Sequence, residues 1–147
     1  MNDISFKLRM GLTLAVLATG SILYAQGKTV TSHKGDCQLT VPADWSVEPM
    51  FGIAGSPDNK WSAALTSPAN TTTLGELKSN AQMIYTNDKV VKDTPTEFQM
   101  EGQSLNGKPN VYRGIQLAGK ICIVDVTYET GTVDDARKIA ATLKGAK

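Results

Sequence analysis

Few side chains in this sequence are spaced so that they could do chemistry, and the two cysteines come first. Cys37 shares a period-two register with Leu39 and Val41, and Cys122 shares one with Val124 and Val126. Each thiol therefore sits on the apolar side of an expected strand. In an oxidising compartment the two form a disulfide if their α-carbons come within about 7 Å. Otherwise they are separate buried thiols packed as small hydrophobes. A link across so long a loop would constrain the unfolded chain by about 4 to 5 kcal/mol in the loop-entropy model. There is no Cys-x-x-Cys pair, so thiol redox catalysis is not expected.

His33 is the only histidine and lies in a polar stretch. Ser-His-Asp or Cys-His chemistry would have to pass through it, and a solvated loop offers no held orientation. Asp125 could work with Glu97 or Glu101 as an acid–base pair, provided the carboxyls converge in a pocket. Asp125 alternates with Val124 and Val126, which places it on the other side of its strand, expected to be the open face. Were that side covered, burial would raise its pKa. Asp134 and Asp135 follow Thr132 and read as helix capping rather than metal ligands. One histidine and two cysteines are too few for a zinc cluster of those ligands, and no phosphate-binding glycine loop is present. The expectation is a non-enzyme with no catalytic residue, no metal and no cofactor.

The sharpest binding candidate is Trp45-Ser46-Val47-Glu48-Pro49-Met50-Phe51-Gly52-Ile53. It gathers Trp45, Met50, Phe51 and Ile53 in a stretch punctuated by proline and glycine. Exposed, these residues make a partner-binding patch. The alternative is that Trp45 and Phe51 plug the core beneath a helix.

The elements that must position these residues begin after an address. Lys7 and Arg9 precede an apolar run from about Met10 to Leu23, and Ala25 supplies a small residue for cleavage. Residues 1–25 thus have the layout of a secretory signal peptide, too short and too diluted to be a spanning helix. Cleavage after Ala25 would deliver a periplasmic or secreted protein with no stable membrane span. The chain has 147 residues, Lys plus Arg 15 and Asp plus Glu 14, so one domain is expected. Removing Asp3, Lys7 and Arg9 leaves basic and acidic residues equal in number, which argues against a nucleic-acid partner.

Residues 26–36 are polar and read as a flexible lead-in to a single domain over 37–147. Period-two patterning marks strands at Cys37–Val41, around Val47–Ile53, at Trp61–Thr66 and at Lys89–Lys92. It marks three more, antiparallel as a meander, around Phe98–Met100, Val111–Leu117 and Cys122–Tyr128. Thr73-Leu74-Gly75-Glu76 is a capping box, and Leu74, Leu77, Ala81 and Ile84 form one helical face. Val133, Ala136, Ala140 and Leu143 repeat that spacing in a closing helix. The sum is an α+β fold, a mostly antiparallel β-sheet of about 5–6 strands flanked by two main helices.

The order of these motifs resembles the PsbP-like superfamily. Leu39-Thr40-Val41-Pro42-Ala43-Asp44-Trp45 is similar to its opening strand, which runs into Pro-x-x-Trp. The capped helix at Thr73-Leu74 stands in the expected middle position. Leu105-Asn106-Gly107-Lys108-Pro109-Asn110-Val111-Tyr112-Arg113 looks like its turn and strand before the final long strand. The likeness spans about residues 36–145. Asp44 stands where the family commonly has glycine, and Leu143 replaces a usual aromatic near the end of the last helix. Members include a photosystem II extrinsic protein, the yeast Ran-binding Mog protein and bacterial envelope proteins resembling DcrB. The resemblance implies a PsbP-like α/β/α sandwich that binds or scaffolds and does not catalyse. The partner expected is an unknown envelope or extracellular protein. The alternatives are a small-ligand carrier with an apolar cleft between sheet and helix, or a carboxylate-dependent enzyme.

Overall fold

A computed structural model describes residues 27–147. The expected signal peptide and the expected cleavage point after Ala25 lie outside the described residues. Alternating strands build two antiparallel sheets. The larger has seven strands: β3 (Ser46–Glu48), β4 (Ile53–Gly55), β5 (Trp61–Thr66), β9 (Lys120–Tyr128), β8 (Pro109–Leu117), β7 (Glu97–Gln103) and β6 (Thr86–Thr94), in that spatial order. The smaller has three, in the order β1 (Lys28–Thr31), β2 (Cys37–Val41) and β10 (Lys144–Gly145). Helix α1 spans Leu74–Ile84 and α2 spans Val133–Ala141.

The α+β class and both helix starts agree with the pattern, but the closing helix ends at Ala141 and leaves Leu143 and Lys144 outside it, and the strand count of about 5–6 is corrected to ten in two sheets among the described residues. Three of these strands have no counterpart of their own among the seven stretches that the pattern marks. The lead-in is not loose throughout, because Lys28–Thr31 pairs with β2 and buries Val30. The segment around Val47–Ile53 is not one strand. Pro49 sits in its middle, and the chain reverses there to make the β3–β4 hairpin. Lys144–Gly145 adds a two-residue edge beside Gln38 and Cys37, too short to leave a periodic trace.

The faces of the large sheet follow from the period of two. One carries Ala63, Leu65, Val111, Ile115, Cys122, Val124 and Val126, and α2 packs on it with Ala136, Ile139 and Ala140. The small sheet joins the same core through Val30, Leu39 and Val41. The other face carries Phe98, Met100 and Tyr112, which meet Leu74, Leu77 and Ala81 of α1.

Both helices start as their capping boxes predict. Thr73 accepts from the Glu76 N–H while Glu76 accepts from the Thr73 N–H, and Thr132 and Asp135 do the same. Asp135 is thereby spent on the helix start. Arg113, which interrupts an otherwise apolar run, donates to Glu97 Oε1 (2.7 Å) and to the Ala140 carbonyl (2.7 Å) at the end of α2. That carbonyl is one of the helix-end acceptors that need a partner from outside the helix.

Candidate functional site

The cysteines are brought together. Cys37 on β2 and Cys122 on β9 form a disulfide with α-carbons 5.6 Å apart, across a sequence separation of 85. It staples the small sheet to the large one inside the core, since both residues are fully buried.

The Trp45–Ile53 stretch is split between core and surface. Trp45 is 4% exposed and belongs to the core, so it is not part of a surface patch. Its ring centroid lies 6.4 Å from that of Trp61, which stacks on Tyr128 at 5.0 Å. Phe51 does not plug the core. Met50 is 71% exposed, Phe51 65% and Ile53 43%, all around the β3–β4 turn at one end of the large sheet.

The backbone beneath these side chains is held in place. The Phe51 N–H donates to the Glu48 carbonyl (3.1 Å), closing the turn. Gly52 has φ +64°, and a Cβ there would lie 2.5 Å from the Leu65 carbonyl oxygen, so the close approach needs glycine. The Leu65 N–H donates to the Gly52 carbonyl at 2.8 Å. His33 Nδ1 lies 2.9 Å from the Met50 carbonyl, the tautomer that donates giving a second brace. His33 stays exposed, but it touches the hairpin and so is not a purely solvated loop residue.

The three carboxylates of the enzyme reading do not converge. Glu97 and Glu101 lie on the α2 side of the sheet, where Glu97 pairs with Arg113 and Lys92, and Glu101 with Arg137. Burial pushes Glu97 up, but hydrogen bonds from Lys92 and Arg113 outweigh it and leave the carboxyl below its usual range. The hydrogen bonds from Arg137 hold Glu101 low. Asp125 lies on the opposite side, opposite Tyr112 of β8 and Ala64 of β5. The sheet itself separates it from the two glutamates, and the paired-acid mechanism has no site.

Asp125 is half-buried on a face that is only partly covered, which corrects the expected open face in part. Tyr85, just past the end of α1, donates from its hydroxyl to Asp125 Oδ2 at 2.6 Å, and Asn110 Nδ2 donates to Oδ1 at 2.9 Å. Burial pushes Asp125 up, and these two hydrogen bonds only partly oppose it. Burial and the nearby Asp125 charge in turn push the Tyr112 hydroxyl up to about 12. The sequence offered little sign of this. Tyr85 follows Ala81 by four residues, so it extends the α1 stripe by one position. Asn110, Tyr112 and Gly114 alternate along β8 and resemble a solvated side.

Among the described residues no group of His, Cys, Asp and Glu is arranged to hold a metal ion, and no helix is long and apolar enough to cross a membrane. No protein-family model matches the chain. No curated protein sequence matches it. Among solved structures it is similar to the solution structure of cyanobacterial PsbP (CyanoP) from Synechocystis sp. PCC 6803, with a TM-score of 0.52 at 12% sequence identity. The match covers 89% of this chain and 99% of that one, and what it establishes is a shared PsbP-like α+β fold.

Proposed function

We propose that this chain is an exported, non-catalytic binding module that docks a protein of the envelope or the extracellular space through its β3–β4 hairpin. The observation that carries the reading is the combination of exposed Met50, Phe51 and Ile53 with a braced backbone beneath them. Burying a large apolar side chain is worth about 1.5 to 3 kcal/mol. A backbone already fixed loses little further entropy on docking, so more of that gain appears as affinity. The PsbP-like fold agrees with the binding role that the family resemblance implies, and the Cys37–Cys122 disulfide suits an oxidising compartment.

Affinity capture from an envelope extract tests this with three proteins: the wild type, Phe51→Asp, and Met83→Asp as a control at another exposed apolar site. The expected result is a partner retained by the wild type and by Met83→Asp and lost by Phe51→Asp, with all three proteins giving the same circular dichroism. Identical captures from the wild type and Phe51→Asp would overturn the assignment of the hairpin.

A further inference from the structure

At the far end of α1 from its capping box, an open crevice of about 470 Å³ lies between the helix end and the β7–β8 turn. Its lining is aliphatic at Ile84 and Leu105 and polar at Ser104, Asn106, Asp125 and Thr127, with the Tyr85 side chain beside Asp125. Leu105 is 84% exposed and Ile84 is exposed as well, although both are large aliphatic side chains next to an acid.

The charge of Asp125 is unbalanced. The half-buried acids on the other side of the sheet each hold an arginine: Glu97 has Arg113 and Glu101 has Arg137. Among the described residues no lysine, arginine or histidine pairs with Asp125. Its two partners, the Tyr85 hydroxyl and the Asn110 amide, are neutral and both donate into it, an arrangement that suits the ionised carboxylate. Each carboxylate oxygen has a second acceptor position beyond the one these donors use. A desolvated carboxylate is ordinarily compensated by a cation, and here the space beside it is open instead.

We propose that this crevice binds a primary ammonium group carried on a short apolar stem, with the ammonium seated on Asp125 and the stem lying between Ile84 and Leu105. The polar and aliphatic parts of the lining match the two ends of such a molecule. Either a free alkylamine or the side chain of a lysine has this chemistry. The site is separate from the β3–β4 hairpin and does not depend on the hairpin's role.

The test follows backbone amide signals of the full-length chain by NMR during titration with n-hexylammonium, n-hexanol and Nα-acetyl-lysine-N-methylamide. The expected result is saturable movement of Ile84, Tyr85, Leu105 and Thr127, with hexylammonium binding at least about tenfold more tightly than hexanol. Tighter binding of the lysine compound than of hexylammonium would assign the source to a polypeptide side chain, and the reverse to a free amine. Asp125→Asn should remove the preference for amine over alcohol. Leu105→Ser, at an exposed position, should weaken hexylammonium by about fivefold with the fold intact. Equal binding of hexanol and hexylammonium, an unchanged preference in Asp125→Asn, no effect of Leu105→Ser, or no saturable movement at millimolar amine would each overturn the proposal.

Discussion

The two faces of the seven-stranded sheet are made by the same strands but finished differently. On one, α2 and the three-stranded sheet close over a continuous aliphatic core, a disulfide crosses it, and the half-buried acids hold arginines. On the other, α1 covers β7 and β8 around a small cluster of Phe98, Met100 and Ala81. Toward β5, Ser62, Ala64 and Thr66 are left to solvent. The half-buried acid there has only neutral partners. The closed face concentrates stability. The partly covered face keeps exposed aliphatic groups and an acid without a cationic partner, the features on which the proposed crevice rests.

The largest expected effect tests the closed face. Replacing Cys37 and Cys122 together with alanine should lower unfolding free energy by about 4 to 5 kcal/mol, because the bond closes a long loop in the unfolded chain. Denaturant unfolding of the variant against the wild type measures it. A loss below about 1 kcal/mol would mean that the closed face holds without its staple.

Next in size is a matched pair of truncations. Leu39→Ala removes a fully buried side chain on the closed face and should cost about 2 to 5 kcal/mol. Leu77→Ala on α1, only partly buried, should cost about 1 kcal/mol. Hydrogen exchange sharpens the contrast. In Leu77→Ala the amides of α1 should lose protection while those of β8 and β9 keep it. Equal losses in both variants would erase the distinction between the faces.

How much of this was legible depended on whether a residue's partner was local. The capping boxes at Thr73 and Thr132 and the stripes of α1 and α2 arise from contacts three and four residues apart, and both helices start where those signals put them, although α2 stops at Ala141, short of Leu143. The cysteines' strand faces could be read, but their separation of 85 residues put the pairing beyond local pattern. Strand β1 was hidden because a polar edge strand with one buried residue, Val30, has no alternation to detect. Asp125 was misplaced for a related reason. Alternation shows that it opposes Val124 and Val126 but cannot show that Tyr85 folds back over it. Trp45 and Phe51 are six residues apart and look alike in composition. Only the turn at Pro49, with glycine at 52, sends one inward and the other outward.

The smallest effect is a difference of sign. Glu97 and Glu101 have carboxyls held below their ordinary value of 4.5, so their contribution is present above that pH and is lost as pH falls through their folded values. Asp125 is raised above 3.8 by burial, so the folded state binds its proton more readily than the unfolded chain does. Its ionisation therefore costs nothing below 3.8, and the cost grows as pH climbs to its folded value. Unfolding free energies of the wild type, Glu101→Gln and Asp125→Asn between about pH 3 and pH 7 read the two signs separately, because each variant removes one titration. The advantage of the wild type over Glu101→Gln, about 1 kcal/mol or less for a pair this accessible, should fade on acidification. Relative to Asp125→Asn the wild type should instead gain as pH falls. If both differences faded together, Asp125 would be stabilised as an anion within the folded chain, and the two faces would not differ in how they treat a buried acid.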